Sequence, residues 1–105
     1  RYTPDVSFPG KSGLTTNYDF AIPKSKNASE RIIKVVNNID QQQTNSIIFL
    51  WEDTVQERPQ NSELYVFMQD NGKKIPSQII STMSTYNVTP VFWSLRDKYV
   101  EKLLK

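Results

Sequence analysis

The stretch GKSGLTTNYDFAIPKSKNASERIIKVVNN, residues 10–38, carries most of the predicted fold because it holds two segments with strand composition. Residues 18–22 and 31–36 are rich in β-branched and aromatic residues, and each has one charge at its centre, Asp19 or Lys34. Asp is depleted from strand interiors, and a buried charge is tolerated when it is paired or functional. Two interpretations follow: a structural Asp–Lys pair at a solvent-facing sheet edge, or a phosphate or metal site on a sheet.

The residues around this stretch predict further parts of a β-sheet. The tripeptide at residues 6–8 predicts a first strand, and the glycines of residues 9–13 predict a turn. Alternation over residues 14–22 predicts that one strand face carries the residues with even numbers: Leu14, Thr16, Tyr18, Phe20 and Ile22. The third strand has an alternative, because Ser29 could instead cap a short helix there.

The middle of the chain fits two kinds of element. Apolar residues at helical spacing predict a helix over residues 47–55, with its N-cap at residues 44–46 after a loop at residues 40–43. The apolar run at residues 47–51 also fits a buried strand, and periodicity alone does not separate the two.

The last forty residues alternate between strand and helix. Apolar segments at residues 64–68 and 89–93 predict parallel strands, joined by a helix over residues 79–86 that starts near Pro76. A terminal helix over residues 95–104 completes the order β-β-β-α-β-α-β-α. We therefore expect a single α/β domain, residues 1–105, with three layers and a mixed sheet.

Composition excludes several classes of function. The 105 residues are 37% hydrophobic and 23% charged, as in a globular domain, and they include no Cys and no His. Disulfides, thiol chemistry and His-based catalysis are therefore excluded, and any metal site would use oxygen ligands that suit Mg²⁺. The net charge of +2 is compatible with nucleic acid.

Nothing in the sequence predicts association with a membrane. The longest apolar run, residues 47–51, is far shorter than the roughly 20 residues of a membrane-spanning helix. No signal peptide precedes the first strand, so we expect a cytoplasmic protein. Because the sequence starts at Arg1, we also expect the C-terminal domain of a longer protein.

Gly10-Lys11-Ser12 resembles the end of a phosphate-binding loop but lacks the rest of that motif. The motif needs a glycine five positions earlier, where this chain has Asp5, and it needs a helix where this chain predicts a strand. Lys11 and Ser12 could still bind an anion with nearby backbone amides. Together with Arg31 they are the candidate nucleic-acid contacts.

The predicted order, with Asp on the second strand and Lys on the third, is similar to the restriction-endonuclease-like, or PD-(D/E)XK, core. In those enzymes the Asp and a second acid, two residues before the Lys, hold Mg²⁺, and the Lys assists the attacking water. The resemblance implies that Asp19 is a metal ligand and that Lys34 is catalytic. Since Ile32 occupies the position of the second acid, Glu30 and Asp53 are the candidates to replace it.

A second resemblance covers nearly the whole chain. It rests on four separated phrases: VSFPGKSGLTTNYDFAIPKS, ERIIKVVNN, WEDTVQERPQNSELYVFMQD and TPVFWSLRD. These are similar to family number eighteen twenty-nine among the domains of unknown function. Its members look like C-terminal domains of prophage or mobile-element proteins from low-GC Gram-positive bacteria.

The two resemblances lead to two functional hypotheses. The first is a nuclease-like, nucleic-acid-associated module that uses Mg²⁺ to hydrolyse phosphodiesters. The second is a catalytically inactive module that binds a protein partner. Two further expectations concern the end of the last strand, where Trp93 should lie in the core and Ser94 should cap the last helix.

Overall fold

Five strands and three α-helices make up the computed structural model, which describes residues 2–70 and 72–104. The strands are β1 (Thr3–Pro9), β2 (Thr15–Ile22), β3 (Arg31–Asn37), β4 (Glu63–Gln69) and β5 (Val88–Phe92). The helices are α1 (Gln41–Val55), α2 (Ser77–Thr85) and α3 (Arg96–Leu103), the last preceded by a 3₁₀ turn at Trp93–Leu95.

The strands form one mixed sheet in the spatial order β1-β2-β3-β4-β5. β1 pairs with β2, and β2 with β3, in antiparallel fashion, whereas β3, β4 and β5 run parallel. This confirms the predicted mixed α/β class, with antiparallel strands first and parallel strands last. Both edge strands contain proline, which limits pairing with further strands: Pro4 and Pro9 in β1 and Pro90 in β5.

Apolar side chains fill a core on each face of the sheet. The larger core lies under α1 and α2, where Ile32 and Leu64 are completely buried. The smaller core lies under α3 and contains Phe67, Val91 and Leu103. The apolar side chains of β3 alternate between these two cores, so both faces of this strand are covered.

Helix α1 starts earlier than its apolar stripe indicates. Asp40 is the N-cap, with its Oδ1 accepting the N–H of Gln43 at 2.7 Å. Thr44 is fully buried, and its hydroxyl donates to the backbone oxygen of Asp40 at 2.7 Å. The predicted N-cap at residues 44–46 and the predicted loop at residues 40–43 are therefore wrong, because the first turn is polar and carries no apolar periodicity.

The structure decides two alternatives and corrects two local expectations. Residues 47–51 lie in the predicted helix, and residues 31–37 form the predicted third strand, so Ser29 caps no helix there. Ser94 lies inside the 3₁₀ turn, and α3 has Leu95 at its N-cap without a side-chain hydrogen bond. Trp93 is half-buried, because β5 is an edge strand and ends beside solvent.

Candidate functional site

The side chains of β2 change faces at Asp19. Tyr18 and Ala21 pack into the core under α1 and α2, whereas Phe20 and Ile22 pack on the face that α3 covers. In a regular strand, residues three apart point to opposite faces, so the regular pleat of β2 is interrupted at Asp19. The prediction that the even-numbered residues share one face is wrong beyond Tyr18 for this reason.

Strand β1 is irregular at the same level. Its register pairs Pro4 with Phe20 and Val6 with Tyr18, and it skips the intervening pair of Asp5 and Asp19. Asp5 has a φ of 50°, in the left-handed region that is uncommon for residues other than glycine. The two distorted strands therefore place two carboxylate residues opposite each other.

β2 and β3 separate next to this interruption. Their backbone pairing ends at Phe20 and Ile33. Beyond that point the Asp19 carboxylate accepts the N–H of Val35 at 2.6 Å, and the Lys34 ammonium donates to the backbone oxygen of Asn17 at 3.1 Å. Asp19 and Lys34 thus each bridge the opening between the strands by bonding to backbone, and the expected direct pair is replaced by two side-chain-to-backbone hydrogen bonds.

A polar depression of about 270 Å³ lies over this opening. Its lining includes the exposed Asp5, the half-buried Asp19 and Lys34, and the polar side chains of Ser7 and Asn17. In the described part of the chain, no three His, Cys, Asp or Glu side chains come together in a group that could hold a metal ion. The depression therefore combines two carboxylate residues with one ammonium group.

Ile32 and Glu30 both lie outside the depression. Ile32 is completely buried in the core, which confirms that its position supplies no ligand. Glu30 forms a buried ion pair, with Oε2 2.6 Å from Arg58 NH2 and Oε1 2.9 Å from Arg58 Nε. Ser62 donates to the same carboxylate at 3.0 Å. With these partners Glu30 joins the start of β3 to the loop after α1, so the structure does not bring this candidate acid to Asp19.

Asp53 holds the β1–β2 turn against the end of α1. Its carboxylate accepts the N–H of Ser12 at 2.8 Å and the hydroxyl of Ser12 at 2.7 Å, while its backbone oxygen accepts the N–H of Lys11. Gly10 is required at this contact, because a Cβ there would lie 2.1 Å from Asp53 Oδ2. The second candidate acid therefore has a structural partner. Lys11 and Ser12 are both exposed, and the Ser12 hydroxyl is used in the contact with Asp53.

Arg31 is buried and is not placed at a nucleic-acid surface. The residue is 7% exposed, and its NH1 donates to the backbone oxygen of Leu103 at 2.6 Å. Its NH2 donates to the backbone oxygen of Pro23 at 3.2 Å. The guanidinium thus binds the end of α3 to the sheet, as cations do at helix C-termini.

Tyr18 connects the depression with a buried group of hydroxyls. It lines the depression through part of its surface, but its own hydroxyl is buried near those of Thr16 and Thr54, and no hydrogen bond of regular geometry joins them. Burial raises the pKa of Tyr18 above its ordinary value of 10.0, and the charge of Asp53 adds to the effect. The Thr54 and Thr16 hydroxyls act in the opposite direction.

The sequence predicts Asp19 and Lys34 as site residues, and both line the depression, but it does not predict Asp5. The predicted first strand begins at Val6 and leaves Asp5 outside it. The signal that could have identified it is an acid flanked by extended residues, directly across the turn from Asp19. Pairing the two strands through the turn at residues 10–13 would have placed the two acids at the same level.

Among the helices that the structure describes, none has the length and apolar character needed to cross a bilayer. No curated protein and no solved structure matches this chain. Residues 10–96, which include Asp19, Lys34 and the turn bound by Asp53, match the family described as Domain of unknown function DUF1829. Because that match covers most of the 105 residues, the chain belongs to this family.

Proposed function

We propose that the domain is a nuclease-like module that binds a divalent cation and a nucleic-acid phosphate in the depression over β1, β2 and β3. The observation that carries this proposal is the opening of the sheet beside Asp19 and Lys34, which brings a carboxylate and an ammonium group to one solvent-accessible place. The reaction would be Mg²⁺-dependent hydrolysis of a phosphodiester. The setting would be a prophage or mobile-element protein.

The donor set is compatible with Mg²⁺. This ion usually keeps several waters and binds through one or two carboxylates together with substrate phosphates. Asp19 and Asp5, placed opposite each other, supply that number of carboxylates. When bound, the ion would neutralise phosphate charge and lower the pKa of a coordinated water. A third acid is therefore not needed, and Glu30 and Asp53 stay in their structural contacts.

Lys34 would supply a second positive charge to the phosphate, on the side away from the bound cation. Its ammonium donates to a backbone oxygen, that of Asn17, so its remaining N–H groups are able to reach a phosphate oxygen or the attacking water. The side chain is half-buried, where charges are screened less than at an open surface. Lys34 is thus the residue of this site suited to stabilise the negative charge of the transition state.

The test is cleavage of plasmid and of single-stranded DNA with Mg²⁺ or Mn²⁺, using Asp19→Asn and Lys34→Ala. Asn keeps an oxygen that can accept the Val35 N–H, so this change removes the charge while preserving the hydrogen bond between β2 and β3. We expect each variant to lose at least about 100-fold in rate. Asp97→Asn and Lys24→Ala, which change exposed residues outside the depression, are the matched controls. Absence of cleavage by the unaltered protein, or full activity of Asp19→Asn, would refute the proposal.

One observation favours the second candidate, an inactive module that binds a protein partner. An apolar groove of about 170 Å³ lies between α3 and the sheet, and its lining includes Phe20, Ile22 and the partly exposed Val100 and Leu104. Binding of the apolar dye ANS measures whether this groove is open, and Val100→Lys should reduce the dye signal. A protein without nuclease activity whose dye binding depends on Val100 would favour this candidate.

A further inference from the structure

The apolar groove between α3 and the sheet, which we call the α3 groove, has a buried floor and an exposed rim. Its floor includes Ile22, Ile33 and Leu103, and its rim includes Tyr2, Val100 and Leu104. The volume is about 170 Å³, and nearly all of the lining is apolar. An apolar cavity of about 150 Å³ in a protein stays dry and can bind benzene. The α3 groove therefore has the size and polarity to take one group as large as a benzene ring.

A buried cation, Arg31, lies next to the α3 groove. Its NH1 donates to the backbone oxygen of Leu103 at 2.6 Å, and Leu103 lines the groove. Ile22, which is paired with Arg31 across β2 and β3, lines the groove as well. Ile33 packs under α3, and alternation along β3 places Arg31 on the same face, two residues earlier. The guanidinium group thus contacts a residue that forms the wall of the groove.

Among the residues that the structure describes, no carboxylate pairs with Arg31. Its two hydrogen-bond acceptors are the uncharged backbone oxygens of Leu103 and Pro23, and its Nε is buried without an acceptor. Glu63, which is paired with Arg31 in the sheet, is exposed, and its carboxylate accepts the Tyr65 hydroxyl. Buried charges are usually paired, and a helix C-terminus supplies only a partial negative charge. Arg31 therefore favours an anion over a neutral group or a cation beside it.

We propose that the α3 groove binds a small apolar carboxylic acid, with its apolar group between α3 and the sheet and its carboxylate at Arg31. The apolar group would be an aromatic ring or a short alkyl chain, which the volume of the groove accommodates. The carboxylate would reach between Ile22 and Leu103 and accept the N–H of Arg31 Nε, which forms a charge-assisted hydrogen bond. The groove shares no lining residue with the depression around Asp19, so this binding is independent of the proposed nuclease function.

The experiment is a titration of the isotope-labelled protein with phenylacetate at neutral pH, followed by NMR. Because Arg31 also holds α3, the ligand is varied and this residue is kept. Phenylacetamide and phenethylamine are the matched ligands, since each keeps the ring but is neutral or cationic. Phenylacetate should bind at least about tenfold more tightly than phenylacetamide, the gain expected from a hydrogen bond between charged groups. The signal of the Arg31 Nε–H should move downfield with phenylacetate, because this N–H gains an acceptor.

Val100→Phe tests the groove without removing a bond of Arg31. Val100 is 41% exposed at the rim, so a larger apolar side chain can fill the groove from its open side. This variant should lose measurable binding of phenylacetate. Leu14→Phe is the matched control, because Leu14 is also exposed but lies between β1 and β2, outside the groove. It should bind phenylacetate as tightly as the unaltered protein does.

Three results would overturn the inference: no binding of phenylacetate at millimolar concentration, equal binding of the acid and the amide, or an Arg31 Nε–H signal that does not move. In each case a protein partner would remain the candidate ligand of the groove. Unchanged binding by Val100→Phe would also contradict it, because the acid would then lie elsewhere. Asp19→Asn should bind phenylacetate normally, so the results for acid binding and for cleavage of DNA are separate.

Discussion

Replacing Arg58 with Met should destabilise the fold, because the change leaves the Glu30 carboxylate buried without its cation. In the folded protein two guanidinium nitrogens lie 2.6 and 2.9 Å from the carboxylate oxygens. The guanidinium carbon also lies 3.8 Å from the centroid of the Phe8 ring. One side chain thus joins β1, the start of β3 and the loop after α1.

The magnitude follows from burial. Removing one partner of a buried ion pair costs about 3–5 kcal/mol. The Glu30 side chain is 8% exposed and keeps its hydrogen bond from Ser62, while Arg58 is 21% exposed, so the loss should be smaller. Met also preserves apolar contact with Phe8. We therefore expect a loss of about 2–3 kcal/mol, or a fall of roughly 8–15 °C in Tm for a domain of this size.

The assay is urea unfolding of a double-mutant cycle, followed by far-UV circular dichroism. Glu30→Gln combined with Arg58→Met should be more stable than Arg58→Met alone, since the double variant buries no unpaired charge. Glu30→Gln should leave metal binding unchanged, because this acid lies outside the depression. A loss below about 1 kcal/mol for Arg58→Met, or a double variant less stable than either single one, would refute the reasoning.

Three further predictions concern other contacts. Gly10→Ala should lower stability by about 2–4 kcal/mol in thermal unfolding, because the new Cβ displaces the Asp53 carboxylate from its hydrogen bonds. The pKa of Tyr18 is raised by burial, so its contribution to stability is complete below pH 10 and is lost as pH rises through the folded-state pKa. Tyr18→Phe should therefore show a shallower alkaline loss of unfolding free energy above about pH 10. Asp40→Ala should cost about 1 kcal/mol in urea unfolding, since it removes the N-cap bond to Gln43.

Local composition was sufficient to predict the mixed α/β class. Segments such as residues 31–36 and 64–68 are apolar and β-branched over the length of a strand, and the helical spacing of residues 47–55 favours α1. The start of α1 was missed because residues 41–43 are polar glutamines without periodicity. The change of faces in β2 at Asp19 was missed because alternation assumes a regular pleat, and the pleat is interrupted there.

The candidate site was predictable only where its residues stand out in the local sequence. A charged residue in the middle of an apolar strand is unusual, and the sequence predicts Asp19 and Lys34 as candidate site residues for this reason. The partners of the other candidates are set by packing between distant segments. Asp53 meets Ser12 across 41 residues, and Arg31 meets Leu103 across 72 residues. Local spacing carries no information about such contacts, so the roles of these residues become visible with the tertiary structure.

The bond between Arg31 and Leu103 also bears on where this domain ends. The family match stops at residue 96, at the first residue of α3. The cation in β3 nevertheless needs the carbonyl oxygen seven residues further on, and Leu103 fills the core beneath it. A protein cut after residue 96 would keep every strand of the sheet but would hold a buried guanidinium with one of its two acceptors missing. The folded domain thus extends beyond residue 96, where the family match ends.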